Sequence, residues 1–179
     1  MARNVEIKAR IENVALLAPK IAERASEGPL ELAQDDTFFN CVTGRLKLRA
    51  FSNDAGELIF YRRVNQAGPK ESFYIRSPTS SPETLRESLS LAYGQIGRIR
   101  KYRTLYLVGR TRVHLDRVEG LGHFLELEVM LVDDEPAEQG VREASNLMEQ
   151  LGIAPAQLIE GAYLDLILTG AGIGGIGAG

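Results

Sequence analysis

Arg45-Leu46-Lys47-Leu48-Arg49 alternates a cation with leucine over five residues. Successive side chains of a β-strand point to opposite faces. The stretch therefore predicts a strand with one ionic face and one apolar face. Glu6-Ile7-Lys8 and Glu126-Leu127-Glu128 repeat the pattern. So do Tyr61 with Arg63, Lys101 with Arg103, and Arg112 with His114 and Asp116, each set on one side of its own strand. The residues between them are largely apolar, as at Val113, Leu115, Leu125 and Val129.

The same period, read along the chain, predicts strands over residues 4–11, 30–39, 45–51, 58–64, 71–76, 98–108, 110–118 and 124–131. Hairpin signals stand at Asn53-Asp54-Ala55-Gly56 and at Gly109. Strands joined by hairpins run antiparallel. Helical spacing predicts helices over residues 14–25, capped by Asn13, over 82–93, capped by Ser81 with Pro82 in the first turn, and over about 137–151. Glu27-Gly28-Pro29 reads as a helix breaker, residues 77–82 as a loop, and residues 155–168 as either a short helix or a strand. The expectation is an α+β fold in one domain over residues 1–169. The Gly, Ala and Ile tail of residues 170–179 is too poor in side chains to offset its ordering entropy, so flexibility is expected there.

An open antiparallel sheet can leave one face wet. Such faces usually carry Thr, Ser and Gln, whereas these carry mostly Lys, Arg, Glu and Asp. If the sheet closes into an eight-stranded antiparallel barrel, the ionic faces point inward and the apolar faces meet helices outside. Buried charge must be paired or serve a ligand, and a barrel of about eight strands has room for one small ligand. Lys and Arg would hold phosphate oxygens, and the carboxylates a hard cation such as Mg²⁺ or Mn²⁺. Glu126 and Glu128 could share that cation with Glu6 and Asp116.

Composition narrows the setting. A net charge of -3 over 179 residues argues against a general nucleic-acid binder. A single cysteine, Cys41, excludes an internal disulfide and points to a reducing compartment. No secretory leader and no apolar run of membrane-spanning length is evident, so the expected location is cytoplasmic, without a membrane partner. There is no P-loop motif and no cysteine cluster for zinc. His123 reads as a turn residue and Cys41 as a packing residue.

Several stretches, in order along the chain, resemble the CYTH family of triphosphate tunnel metalloenzymes, which includes class IV adenylyl cyclase and thiamine triphosphatase. They are Asn4-Val5-Glu6-Ile7-Lys8, Gln34-Asp35-Asp36-Thr37-Phe38-Phe39, the stretch quoted at the outset, Leu58 to Arg63, Arg100 to Tyr106, and Asp116 to Glu128. The family hallmark E-x-E-x-K has Asn4 in place of its first Glu. The resemblance implies a closed eight-stranded tunnel that binds a triphosphate with a divalent cation. By that resemblance Glu6, Asp116, Glu126 and Glu128 would be the metal-binding acids. Lys8, Lys47, Arg49, Arg63, Lys101, Arg103 and Arg112 would be the phosphate-binding bases. Lys8 and Glu6 would act at the reacting centre, Lys8 in a second role as the base that prepares water.

The implied activity is metal-dependent hydrolysis of a triphosphate: ATP, thiamine triphosphate or tripolyphosphate. The alternatives are conversion of ATP to cyclic AMP and pyrophosphate, and triphosphate or polyphosphate binding without turnover. Either a monomer or a homodimer is compatible with the sequence.

Overall fold

The computed structural model describes residues 2–63 and 67–170. The expected flexible tail lies outside the described residues apart from Gly170. Eight antiparallel strands close in the order β1-β5-β4-β3-β2-β6-β7-β8. They are β1 (Ala2–Ile11), β2 (Glu27–Phe39), β3 (Arg45–Ala50), β4 (Gly56–Arg63), β5 (Lys70–Thr79), β6 (Gln95–Val108), β7 (Thr111–Val118) and β8 (Gly122–Leu131). The helices are α1 (Val14–Ala22), α2 (Pro82–Tyr93), α3 (Ala137–Gln150) and α4 (Tyr163–Leu168).

Side-chain parity decides which way each strand faces. On β1, Val5, Ile7, Ala9 and Ile11 point out of the barrel, where they join Val113, Leu115, Leu125, Leu127 and Val129 of β7 and β8. The helices cover this apolar belt with Val14, Leu17 and Ile21 of α1 and Ala144, Leu147 and Met148 of α3. The intervening polar residues turn inward. The hydrophobic core thus lies between barrel wall and helices, and the barrel lumen is left to charge.

A second apolar cluster packs across one end of the lumen. Inward-facing Phe38, Ile99, Val118 and Phe124 meet Tyr163 and Leu164 of α4 there. The chain reaches this position because residues after α3 dock on β1: Ile159 N–H donates to the Lys8 carbonyl at 3.0 Å. The Arg45 guanidinium lies 2.9 Å from Asp165, tying α4 to β3. A short helix in the 155–168 segment resolves the choice left open by its sequence, preceded by a turn of 3₁₀ helix at Pro155–Gln157.

Several boundaries differ from the sequence expectation. The first helix ends at Ala22 rather than Ala25, because Ser26 N–H is captured by the Leu107 carbonyl at 2.8 Å. Glu27 accordingly opens β2, paired with Leu107, instead of serving only as a breaker. Gly28 makes that entry possible: its φ is +106°, and a Cβ there would stand 2.7 Å from the Leu105 carbonyl oxygen. The expected loop at residues 77–79 is strand, with Ser77, Pro78 and Thr79 opposite Leu58, Glu57 and Gly56. Beyond Tyr74 this strand has lost its pairing with β1, so proline sits where a missing N–H costs little. Ser81 does precede the second helix, but its side chain makes no cap bond. Asn13 does cap, accepting from Ala15 N–H at 2.9 Å.

Candidate functional site

Closure brings the inward positions of all eight strands around one cavity of about 430 Å³. Lys8, Glu6, Lys47, Arg49, Arg63, Lys101, Arg103, Arg112, Glu126 and Glu128 all line it. Pairing register explains their arrangement. His114, Glu126 and Lys8 stand side by side across β7, β8 and β1. One step along, Arg112, Glu128, Glu6 and Lys70 do the same across β7, β8, β1 and β5. Opposite charges on neighbouring strands are within reach of one another.

The interior is organised by carboxylate hubs. Arg49 grips Asp36 through two bonds of 2.7 Å, and Lys101 Nζ stands 3.0 Å from the same carboxylate. Lys47 Nζ is 3.5 Å from it. Burial alone would push the Asp36 carboxyl up, but Arg49, Lys101 and Lys47 hold it well below the usual carboxylate range. The same crowding lowers the lysines: burial and Arg49 bring Lys47 to about 8, and burial holds Lys101 well below its ordinary value.

Asp116 forms the second hub. It is fully buried and accepts two bonds of 2.7 Å from Arg103 and one of 2.6 Å from the Tyr163 hydroxyl. Against the penalty of burial, Arg103 holds its carboxyl down at about 2. Asp116 therefore lies behind Arg103 and does not line the cavity. It fixes a cation that does.

The third set faces the cavity directly. Among the described residues, one group of potential metal-ligating side chains combines His114, Glu126 and Glu128, with donor atoms all within 4.8 Å of one another. Glu126 lies 3.3 Å from Lys8 Nζ and 3.5 Å from Arg103 Nη2. Burial would push its carboxyl up, but Lys8 and Arg103 hold it well below the ordinary value. Glu128 moves the other way, pushed up to about 7 by burial and by the charge of Glu126. Burial and Arg103 push His114 well below the usual imidazole range. A neutral imidazole and two carboxylates are a competent donor set for a divalent cation. The His114 Nδ1 atom is buried without a hydrogen-bond partner, which fits a ligand at that point. Glu6 faces the same cavity, held by Arg63 at 2.7 Å.

Asn4 also lines the cavity, and its Oδ1 is buried without a hydrogen-bond partner. It stands opposite Ser72 on β5, which in turn stands opposite Arg63 on β4. Arg63 keeps Nε and Nη2 without partners in the same region. Unsatisfied donors and acceptors around one cavity are polar groups available to a guest.

Sequence reasoning gave no role to Asp36 or Tyr163. Asp36 was legible by parity, since Gln34, Asp36 and Phe38 alternate inward on β2. Tyr163 carried no periodic signal. Its ring lies 3.8 Å below Lys8 Nζ and 5.6 Å from Lys101 Nζ, so it forms the cavity floor under two cations.

Comparison with known proteins gives a consistent result. The sequence profile described as CYTH domain matches residues 2–163. The adenylate cyclase CyaB of Aeromonas hydrophila is 27% identical over 169 residues, covering 90% of this chain and 87% of that protein. A protein of Methanocaldococcus jannaschii is 25% identical over 170 residues, covering 90% and 97%. The solved PH1012 protein of Pyrococcus horikoshii superposes with a TM-score of 0.81 at 21% identity, covering 91% and 98%.

Proposed function

The chain belongs to the CYTH domain family, and on that premise we propose that it is a divalent-metal-dependent phosphohydrolase acting on a triphosphate held in the barrel lumen. One observation carries the reading. Eight basic side chains line the cavity (Lys8, Lys47, Arg49, Arg63, Arg76, Lys101, Arg103, Arg112) against five carboxylates (Glu6, Asp36, Glu57, Glu126, Glu128). Asp116, behind the lining, compensates Arg103, and the excess of positive charge that remains in a largely buried site is costly unless an anion compensates it. A triphosphate carries about four negative charges at neutral pH and about two once a divalent cation is bound. The charge and the acid–base layout both suit that guest.

In this reading Lys47, Arg49, Arg63, Lys101, Arg103 and Arg112 hold phosphate oxygens. Arg49 and Arg103 arrive already fixed by Asp36 and Asp116, so little rotamer entropy is lost on binding. Glu126 and Glu128, with Glu6 beside them, hold the cation. Asp116 serves it indirectly by fixing Arg103. When bound, a divalent cation there would polarise the phosphoryl oxygens and lower the pKa of nearby water. Lys8 positions the terminal phosphate and the attacking water, and Glu6 receives the water's proton. The water oxygen bonds to the terminal phosphorus as the bond to the bridging oxygen breaks. The charge developing on the departing diphosphate is met by the fixed guanidinium groups.

A second reading, cyclisation of ATP, is favoured by the name of the Aeromonas relative. There the ribose 3′-oxygen attacks the α-phosphorus and pyrophosphate leaves. Both reactions use the same basic walls.

Incubation with Mg²⁺ or Mn²⁺ and each of tripolyphosphate, ATP and thiamine triphosphate separates the readings. Phosphate release supports hydrolysis, and pyrophosphate with cyclic AMP supports cyclisation. Tight binding with no product would leave a non-catalytic triphosphate-binding module. Glu126→Gln should lower turnover by about 100-fold or more. Undiminished turnover would remove Glu126 from the cation site.

A further inference from the structure

We propose that His114 supplies a nitrogen ligand to the cation site, making it a mixed imidazole–carboxylate centre that takes Mn²⁺ or another first-row divalent ion in preference to Mg²⁺. The inference rests on the metal-dependent reading above and specifies the ion.

Register puts His114 directly opposite Glu126 across β7 and β8, with Glu128 at the next inward position. Their donor atoms lie within 4.8 Å of one another. The imidazole is 4% exposed, and its Nδ1 has no hydrogen-bond partner. A buried unsatisfied nitrogen is destabilising, and Nδ1 has no hydrogen-bond partner among the described residues. Glu128 does not serve as one: Nδ1 stands 3.9 Å from Glu128 Oε1, too far for a hydrogen bond. That separation is a natural one for two ligands of a common ion. Donors each about 2.1 Å from a metal are roughly 3–4.2 Å apart, depending on the angle between them.

The strand next to β8 supports the same ion choice. Asn4 faces the cavity with a neutral amide rather than a carboxylate. Mg²⁺ favours oxygen donors and retained water, whereas imidazole suits ions later in the first transition row. An acid fewer and an imidazole more shift the balance toward the second group.

The test uses the full chain and metal alone. Electron spin-echo spectroscopy of Mn²⁺ bound to the protein should show strong nitrogen coupling, lost in His114→Gln. Calorimetric titration should show Mn²⁺ affinity falling by about 10-fold or more in that variant, with Mg²⁺ affinity changed much less. The wild-type spectrum needs no substitution, so a variant that fails to fold does not remove the test. Mn²⁺ bound without nitrogen coupling would overturn the assignment of His114 and leave the metal-dependent reading standing. An unchanged ratio of Mn²⁺ to Mg²⁺ affinity in a folded His114→Gln would also overturn it. No Mn²⁺ binding, even with tripolyphosphate present, would overturn both.

Discussion

The Tyr163 hydroxyl donates to Asp116 Oδ2 at 2.6 Å, joining the short helix α4 to the barrel strand that carries Asp116. The carboxylate it meets already accepts both forks of Arg103. One phenol thus completes a buried charged network and places an aromatic ring under Lys8 and Lys101.

Removing only the hydroxyl isolates the first role. Tyr163→Phe should destabilise the protein by about 1.5–3 kcal/mol, the range for a hydrogen bond to a charged group. The ring and its contacts with the lysines remain, so triphosphate affinity should change little. Denaturant melts and calorimetric titration of tripolyphosphate check the two halves.

Asp116 contributes a pH-dependent part of stability. Its carboxyl is held at about 2, against an ordinary value of 3.8. A lowered acid stabilises fully above its unfolded value and loses that contribution as pH falls through its folded one. Here the window runs from about pH 4 down to pH 2, with a magnitude of about 2 kcal/mol. Asp116→Asn should be less stable than wild type at pH 7, with the gap closing toward pH 2. Chemical denaturation at the two pH values reads it.

Glu128 has the opposite sign. Its carboxyl is raised to about 7 by burial and Glu126, so the folded state binds its proton more tightly than the unfolded chain. Without metal, its ionisation therefore costs stability as pH rises from about 4.5 through 7. Glu128→Gln should be more stable than wild type by about 1–3 kcal/mol at pH 8, with the advantage gone near pH 4.5. Added Mn²⁺ should stabilise wild type but much less the variant. Thermal melts with chelator and with Mn²⁺ cover both points.

Binding of a polyanion should be coupled to proton uptake. Lys47 is lowered to about 8, first by burial and then by Arg49. A bound phosphate favours its charged form, so protons are taken up near pH 8 and affinity weakens as pH rises above it. Titration calorimetry in buffers of different ionisation enthalpy should detect the uptake at pH 8.5. Lys47→Gln should reduce it along with affinity.

Asn4→Glu restores a carboxylate to the first position of the E-x-E-x-K pattern. Because Asn4 lines the cavity and its buried Oδ1 has no partner, the new acid should tighten divalent-cation binding by about 10-fold. Unchanged metal affinity in a folded variant would place position 4 outside the cation's reach.

Strand parity was the legible part of this molecule. Period-two alternation on β1, β3, β7 and β8 announced which residues face inward, and ten expected site residues do line one cavity. Depth was less legible. Asp116 has the right parity, yet Arg103 directly across on β6 takes both of its oxygens, and that follows from register rather than local sequence. Asp36 sits in an Asp35-Asp36 pair that resembles turn punctuation, although its inward position makes it the anchor of Arg49. Tyr163 was illegible because a six-residue helix has too few turns to show a period. Ser77-Pro78-Thr79 has loop composition, and only its β4 partner makes it strand.

The split between an apolar outer face and an ionic lumen makes each strand a reading frame. Residues of one parity carry the packing against the helices, and those of the other carry the chemistry. Substitutions within a frame are local events. A single-residue insertion or deletion within β7 would instead exchange the frames, sending Val113 and Leu115 into the lumen and Arg112, His114 and Asp116 against the helices. The barrel should thus tolerate changes of side chain far better than changes of strand length, and its length variation should collect in the turns.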